Sequence, residues 1–208
     1  GGVIMSENKK ISHGALLKSY INWAFFHLSS ISFEKFQTYG FLHSMMPIIK
    51  ELYGGNREEE LKALKRHSVV FNVEPVMGTI VPGIIAGLEE NRANGAELDD
   101  ATINNIKVGL MGPMAGLGDA LTQGLVWPLL LSIGISLSAN GNIIGPLFFL
   151  VACLAFNVGI SYSLFFRGYK LGVDSVKLFL GKNSENIQKA FGVLGLIMLG
   201  AIGASYVN

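Results

Sequence analysis

The stretch Lys107 to Gly124, KVGLMGPMAGLGDALTQG, carries the strongest chemical signal in the chain. Asp119 is the one Asp, Glu, Lys or Arg between Val108 and Phe166. A carboxylate in so long an apolar run is costly inside a bilayer, and such groups mark functional positions. Asp119 has a second reading as the cap of a helix beginning at Ala120, satisfying exposed backbone N–H groups. The two roles are compatible. Gly112 and Gly116 have the spacing that lets another helix approach closely. Pro113 removes a backbone donor, and Gly116 and Gly118 permit a tight reversal. The pattern predicts two short helices meeting in a hairpin, with the acid at its tip. Phosphate binding does not fit: no lysine follows the glycines, and an acid there would repel the anion.

A second constellation is Phe71-Asn72-Val73-Glu74-Pro75. Asn72 offers both donor and acceptor. Glu74 is an intramembrane carboxylate or, more simply, an interfacial acid before a helix with Pro75 at its first position. Gln123, one helical turn beyond Asp119, adds an amide. Asn72, Glu74, Asp119 and Gln123 are therefore the expected path-lining residues. Asn157 in a later apolar run reads as helix glue. His13, His27, His43 and His67 show no metal spacing, and no Ser/His/Asp set can be assembled. His67 reads as a solvated helix-end histidine. The aromatic stretch near the N-terminus reads as packing rather than as a sugar-stacking platform. The single cysteine, Cys153, reads as buried and free. Neither metal nor cofactor is expected.

The elements that must position these groups are membrane elements. Half of the 208 residues are hydrophobic and 15% are charged; a soluble domain carries about a quarter charged. The net charge of +1 gives no general attraction to nucleic acid. Crossings take about 20 apolar residues. Ala120–Ala139 and Ile143–Phe166 qualify, with a turn at Asn140-Gly141-Asn142, and Phe191–Val207 is a shorter third candidate. Val76–Leu88 and Val108–Leu117 are too short to span and read as buried or re-entrant. Residues 1–18 read as an N-terminal tail and residues 19–208 as one membrane-embedded domain. Its first part, from Tyr20, is expected to be an interfacial helix followed by a buried segment. Asn56 to Val70 is expected to be a surface helix, capped by Asn56, with a Glu58–Lys62 pair and an inner face of Leu61, Leu64 and Ser68. Asn94-Gly95 is an expected turn, and Asp99 or Asp100 an expected cap. The fold class is all-α: a polytopic membrane protein with re-entrant helical hairpins and an N-terminal interfacial helix.

At these residues the chain resembles a known family, the IID component of the mannose/fructose/sorbose-type sugar phosphotransferase systems. The matching signatures begin with Phe33-Glu34-Lys35-Phe36-Gln37, Gly40-Phe41, Pro47 and Leu52-Tyr53. Arg66-His67, Phe71-Asn72 with Pro75, and Ala86-Gly87-Leu88-Glu89-Glu90 follow. The longest match runs from Glu89 through Asp119, and Gly145-Pro146 and Gly168-Tyr169 with Gly172 continue it. The resemblance implies a non-catalytic, multi-pass subunit in a bacterial cytoplasmic (inner) membrane. With a IIC subunit it would translocate a hexose, which a IIB protein, phosphorylated by IIA, then phosphorylates. It implies that IID itself carries no phosphorylated residue, and that bacteriocins and phage DNA are secondary partners to consider. The alternatives are an assembly subunit that stabilises IIC without touching sugar, and an unrelated ion-coupled transporter. The family commonly has an aromatic residue and an arginine-proline pair after the Asp. Here Trp127 precedes Pro128 instead. Family chains continue beyond Asn208 with further helices, so the resemblance implies a C-terminally truncated chain.

Overall fold

The structure is a computed structural model that describes residues 8–138 and 141–179. The described residues are helical, with isolated bridges but no strand. In order they form α1 (His13–Phe26), α2 (Thr38–Tyr53), α3 (Arg57–His67), a 3₁₀ turn (Met77–Thr79), α4 (Ile80–Ala93) and α5 (Asp100–Gly118). A π-helical segment (Asp119–Val126), α6 (Trp127–Leu137) and α7 (Ile144–Phe179) complete them. Residue 18 lies inside α1, whose Ala15 and Leu16 are buried.

Local chemistry starts several of these helices. Ser12 accepts from the Ala15 amide, Asn56 from those of Glu58 and Glu59, and Asp99 from that of Thr102. Each satisfies donors that a helix leaves open at its first turn. Gly95, at φ +91°, makes the turn after α4, a backbone region that glycine enters without steric cost. The Glu58–Lys62 pair forms at 2.8 Å, although an exposed pair of this kind contributes little.

The inner face of α3 differs from the expectation. Leu64 packs against the core as expected, but Leu61 and Ser68 are exposed, Ala63, Arg66 and His67 are buried, and the helix ends at His67 rather than Val70. The reason is a buried acid on α4 that recruits the Arg66 cation and the His67 ring of α3. Glu89, fully buried, accepts from Arg66 Nε (2.8 Å) and Nη2 (2.9 Å), Tyr53 Oη (2.7 Å) and His67 Nε2 (2.9 Å). Arg66 also reaches Asp100 at 2.7 Å, tying α3 to the start of α5. His67 is therefore a buried partner of a carboxylate and not a solvated helix-end group. Hydrophobic periodicity does not reveal this face, because its anchors, Arg66 and His67, are polar.

Glycine decides the contact between α4 and α7. A methyl group at Gly83 would meet the Phe165 carbonyl, and one at Gly168 the Ile80 carbonyl. At Gly87 it would meet the Tyr169 carbonyl, and at Gly172 the Ile84 carbonyl. Gly83/Gly87 and Gly168/Gly172 thus repeat small-xxx-small spacing on both helices, so the backbones touch. Asn91 locks the crossing by donating to the carbonyls of Gly172 (3.0 Å) and Val173 (2.9 Å). The motif expected at Gly112 behaves otherwise: space around it is open within the described residues. Gly87→Val should drive α4 off α7 and cost at least about 3 kcal/mol, the upper range for overpacking. Thermal unfolding in detergent would measure it; an unchanged midpoint would disprove the close crossing.

The hairpin expected at Gly116 and Gly118 is not formed. Gly118 has helical dihedrals (φ −64°, ψ −47°), and the chain runs from Asp100 to Leu137 as one helix of 38 residues. Pro113 is carried inside α5, as membrane helices tolerate when neighbours re-satisfy the freed groups. Asp119 consequently lies along a helix, neither at a hairpin tip nor at a helix start. Asp100–Leu137 and Ile144–Asp174 are long and apolar enough to cross a membrane, with mean hydropathies of 1.6 and 2.0. In each, 11% of the most apolar window is buried within the chain. Outward-facing Leu129, Ile135, Leu147 and Leu150 form a surface that calls for lipid or protein cover. Phe191–Val207 lies outside the described residues, as does the end of the first expected crossing at Ala139.

Candidate functional site

Asn72, Glu74, Asp119 and Gln123 line one cavity of about 530 Å³. That volume falls in the range of small-molecule sites, roughly 300–1,000 Å³. One wall is the non-helical segment 72–76, and the other is the π-helical segment. Further lining comes from α1 and the residues just after it (Tyr20, His27) and from α7 (Asn157, Ser161).

The non-helical wall is held at Val73 by a side chain acting as a strand partner. Gln37 is buried; its Nε2 donates to the Val73 carbonyl at 3.0 Å, and its Oε1 accepts from the Val73 amide at 2.9 Å. The Gln37 amide donates to the Phe71 carbonyl at 2.9 Å, and Thr38 Oγ1 accepts from the Phe71 amide at 3.0 Å. These bonds satisfy a buried, non-helical backbone that would otherwise lose its partners. Phe36 enters the clamp in the left-handed region at φ +48°, an uncommon position for a bulky residue and a local cost borne by the packing around it. With Val73 fixed inward, Asn72 is exposed and Glu74 is buried.

Glu74 starts a helical element, as the simpler reading expected, but it does so from a buried position. It is 3% exposed, and its Oε2 accepts from the Met77 amide at 2.7 Å, capping the 3₁₀ turn. Pro75 lies in a turn before that element. A methyl group at Gly118 would strike the Glu74 side chain. Gly118 thus serves close approach of an acid rather than reversal of the chain. Trp23, on α1, braces the same turn by donating to the Pro75 carbonyl (3.2 Å) and Thr79 Oγ1 (3.1 Å).

On the opposite wall, Asp119 and Gln123 are exposed to the cavity and joined by one bond, Gln123 Nε2 to Asp119 Oδ1 at 3.2 Å. The π-helical stretch that carries them is a rare geometry, found often at functional sites. Asn157 Oδ1 and Thr122 Oγ1 are buried without a hydrogen-bond partner among the described residues. Tyr20 Oη pairs with Ser161 Oγ at 3.0 Å, fixing α1 against α7 beside the opening. The arrangement offers separated acceptors and amides around a partly apolar chamber. It suits a neutral polyhydroxyl ligand better than an anion. Among the described residues no nucleophile–base pair faces it. Gln37, Asn157 and Trp127 also line the cavity. Sequence reasoning had not placed them there, since nothing local distinguishes a buried clamp from a surface glutamine.

The family model for the mannose/fructose/sorbose family IID component of the phosphotransferase system matches residues 10–208. The chain belongs to that family. Among IID relatives, the mannose-specific component of Escherichia coli K12 is 39% identical over 173 residues, 83% of this chain and 61% of the relative. The sorbose-specific component of Klebsiella pneumoniae is 38% identical over 196 residues, 94% of this chain and 71% of the relative. This IID chain therefore spans about three fifths of the length of its E. coli relative. A chain in the cryo-EM structure of the mannose transporter ManYZ with microcin E492 superposes at a TM-score of 0.88. It is 36% identical, and the match covers 93% of this chain and 70% of that one. The family membership and the two apolar helices identify a membrane protein of a sugar phosphotransferase system.

Proposed function

We propose that the cavity is the sugar-facing wall of a IID subunit, which carries a mannose-type hexose across the bacterial cytoplasmic membrane together with a IIC subunit. The sugar is then phosphorylated by IIB, itself phosphorylated by IIA. The observation supporting this reading is the convergence of Asn72, Glu74, Asp119 and Gln123 on one chamber beside a membrane-length helix. Carboxylates and amides are the groups that recognise hydroxyls, each by a small number of placed bonds.

The membrane arrangement belongs to the same proposal. Helix α4 has 14 residues, too few to span a bilayer that needs about 20. Residues 72–93 are read as entering the bilayer and returning, with their irregular backbone covered by the Gln37 clamp. Such backbone survives at membrane depth where protein or a wet cavity covers it. Helix α1, with Phe25 and Phe26 exposed near its end, is read as lying at the interface. Residues 19–208 are read as one membrane-embedded unit. Because ManYZ was solved in complex with microcin E492, a bacteriocin is proposed as a secondary partner.

The test is uptake and phosphorylation in membranes carrying this chain and a IIC subunit, with and without IIA and IIB. Phosphorylated sugar is expected when both membrane subunits and both phosphocarriers are present. Equal phosphorylation without this chain would refute the role.

A further inference from the structure

We propose that Trp127 is the stacking platform of this cavity and that it selects a hexose in its pyranose ring form, an inference that rests on the sugar-site reading above. The chain has two tryptophans, and the fold uses them differently. Trp23 is fully buried, its indole N–H bonded to Pro75 and Thr79, its ring 5.6 Å from Phe71. Trp127 is 40% exposed, lines the cavity, and its indole N–H has no hydrogen-bond partner among the described residues. Asp119, Gln123 and Trp127 succeed one another four residues apart along the same helix, and all three reach the chamber.

The chemistry of the ring and its neighbours matches a pyranose. Such a sugar carries hydroxyls around its edge, while axial C–H bonds crowd one face. An aromatic face is electron-rich and its edge electron-poor, so polarised C–H bonds settle on the face. A hexose stacked on Trp127 presents its edge hydroxyls to Asp119 and Gln123. Asn157, on α7, lines the same chamber. An open-chain hexitol has similar hydroxyls but no rigid C–H face to stack. A tryptophan serving merely as a membrane-interface anchor would discriminate between neither class.

The experiment uses vesicles containing the chain with its IIC partner, IIB and IIA, as wild type, Trp127→Phe and Trp127→Leu. Mannose uptake kinetics are measured, with mannitol as competitor, and indole fluorescence is titrated with each compound. Trp127→Leu is expected to raise KM about three- to tenfold with kcat little changed, the range of an aromatic contact. Trp127→Phe should recover most of the loss. Mannose should perturb an emission component that wild type has and Trp127→Phe lacks, and mannitol should not. A wild-type KM in Trp127→Leu, or the same mannose response in wild type and Trp127→Phe, would overturn the platform. If the leucine variant fails to assemble, the phenylalanine variant and the fluorescence difference decide. Wild-type vesicles that take up no mannose would overturn the underlying sugar-site reading, a result distinct from loss of the platform.

Discussion

Asp119→Ala is expected to lower the kcat/KM of sugar uptake about 10- to 150-fold while leaving the chain in the membrane. The magnitude is that of a hydrogen bond to a charged group, about 1.5–3 kcal/mol. Assembly should survive, because the carboxylate is exposed to the cavity and its one hydrogen bond within the described residues is the 3.2 Å contact from Gln123. Removing it creates no buried void and strands no buried charge. Asp119→Asn should fall between wild type and alanine, since the amide keeps an acceptor but loses the charge. Uptake rates and membrane abundance should be measured on the same preparations. Normal uptake by the alanine variant would remove Asp119 from the sugar path. Loss of both uptake and abundance would assign the residue to assembly.

The largest effect on stability is expected at Glu89. Glu89→Gln leaves Arg66 buried, with its bidentate partner replaced by an amide that has one acceptor oxygen. Breaking a buried ion pair from one side costs about 3–5 kcal/mol. Burial by itself would push the Glu89 carboxyl upward; the bonds from His67 and Arg66 outweigh it and hold it well below the ordinary 4.5. Burial holds His67 below its ordinary 6.5, and nearby Lys107 and Arg66 add to this against the pull of Glu89. A neutral ring also fits the geometry. An ionised Glu89 can only accept, so His67 Nε2 carries the proton, and Nδ1 is buried without a partner among the described residues. A second proton there would have no acceptor.

Both groups bind fewer protons folded than unfolded, so acid destabilises the fold. Stability should begin to fall as pH drops below about 6.5, through His67. It should fall again below about 4.5, through Glu89. In Glu89→Gln the second step disappears, and the gap to wild type narrows in acid. Thermal unfolding in detergent from pH 8 to 3 would check this. A constant gap across that range would contradict an ionised Glu89.

Much of the local architecture was legible from the residues. Asn56 and Asp99 cap helices because a short polar side chain reaches its own next amides wherever the chain goes. Asn94-Gly95 turns for an equally local reason. The apolar lengths after Val108 implied membrane helices because the hydrophobic demand of a bilayer is a matter of length and charge. The residue matches from Phe33 to Gly172 carried the family, since the same local requirements recur at the same spacing.

Other features depended on distant partners. Gly116 and Gly118 permit both a reversal and a straight helix. The structure takes the straight path, with Gly118 used for the approach of Glu74 from a segment more than forty positions earlier. The inner face of α3 could not be derived from hydrophobicity, because Arg66 and His67 are buried by Glu89 on another helix. The burial of Glu74 depended on Gly118, whose missing side chain leaves room for it. Types and spacing thus determined the helices, their caps, the membrane character and the polar residues that stand apart. Tertiary structure decided which of those residues meet, because a polar group's environment is set by what packs against it, and that comes from remote parts of the chain.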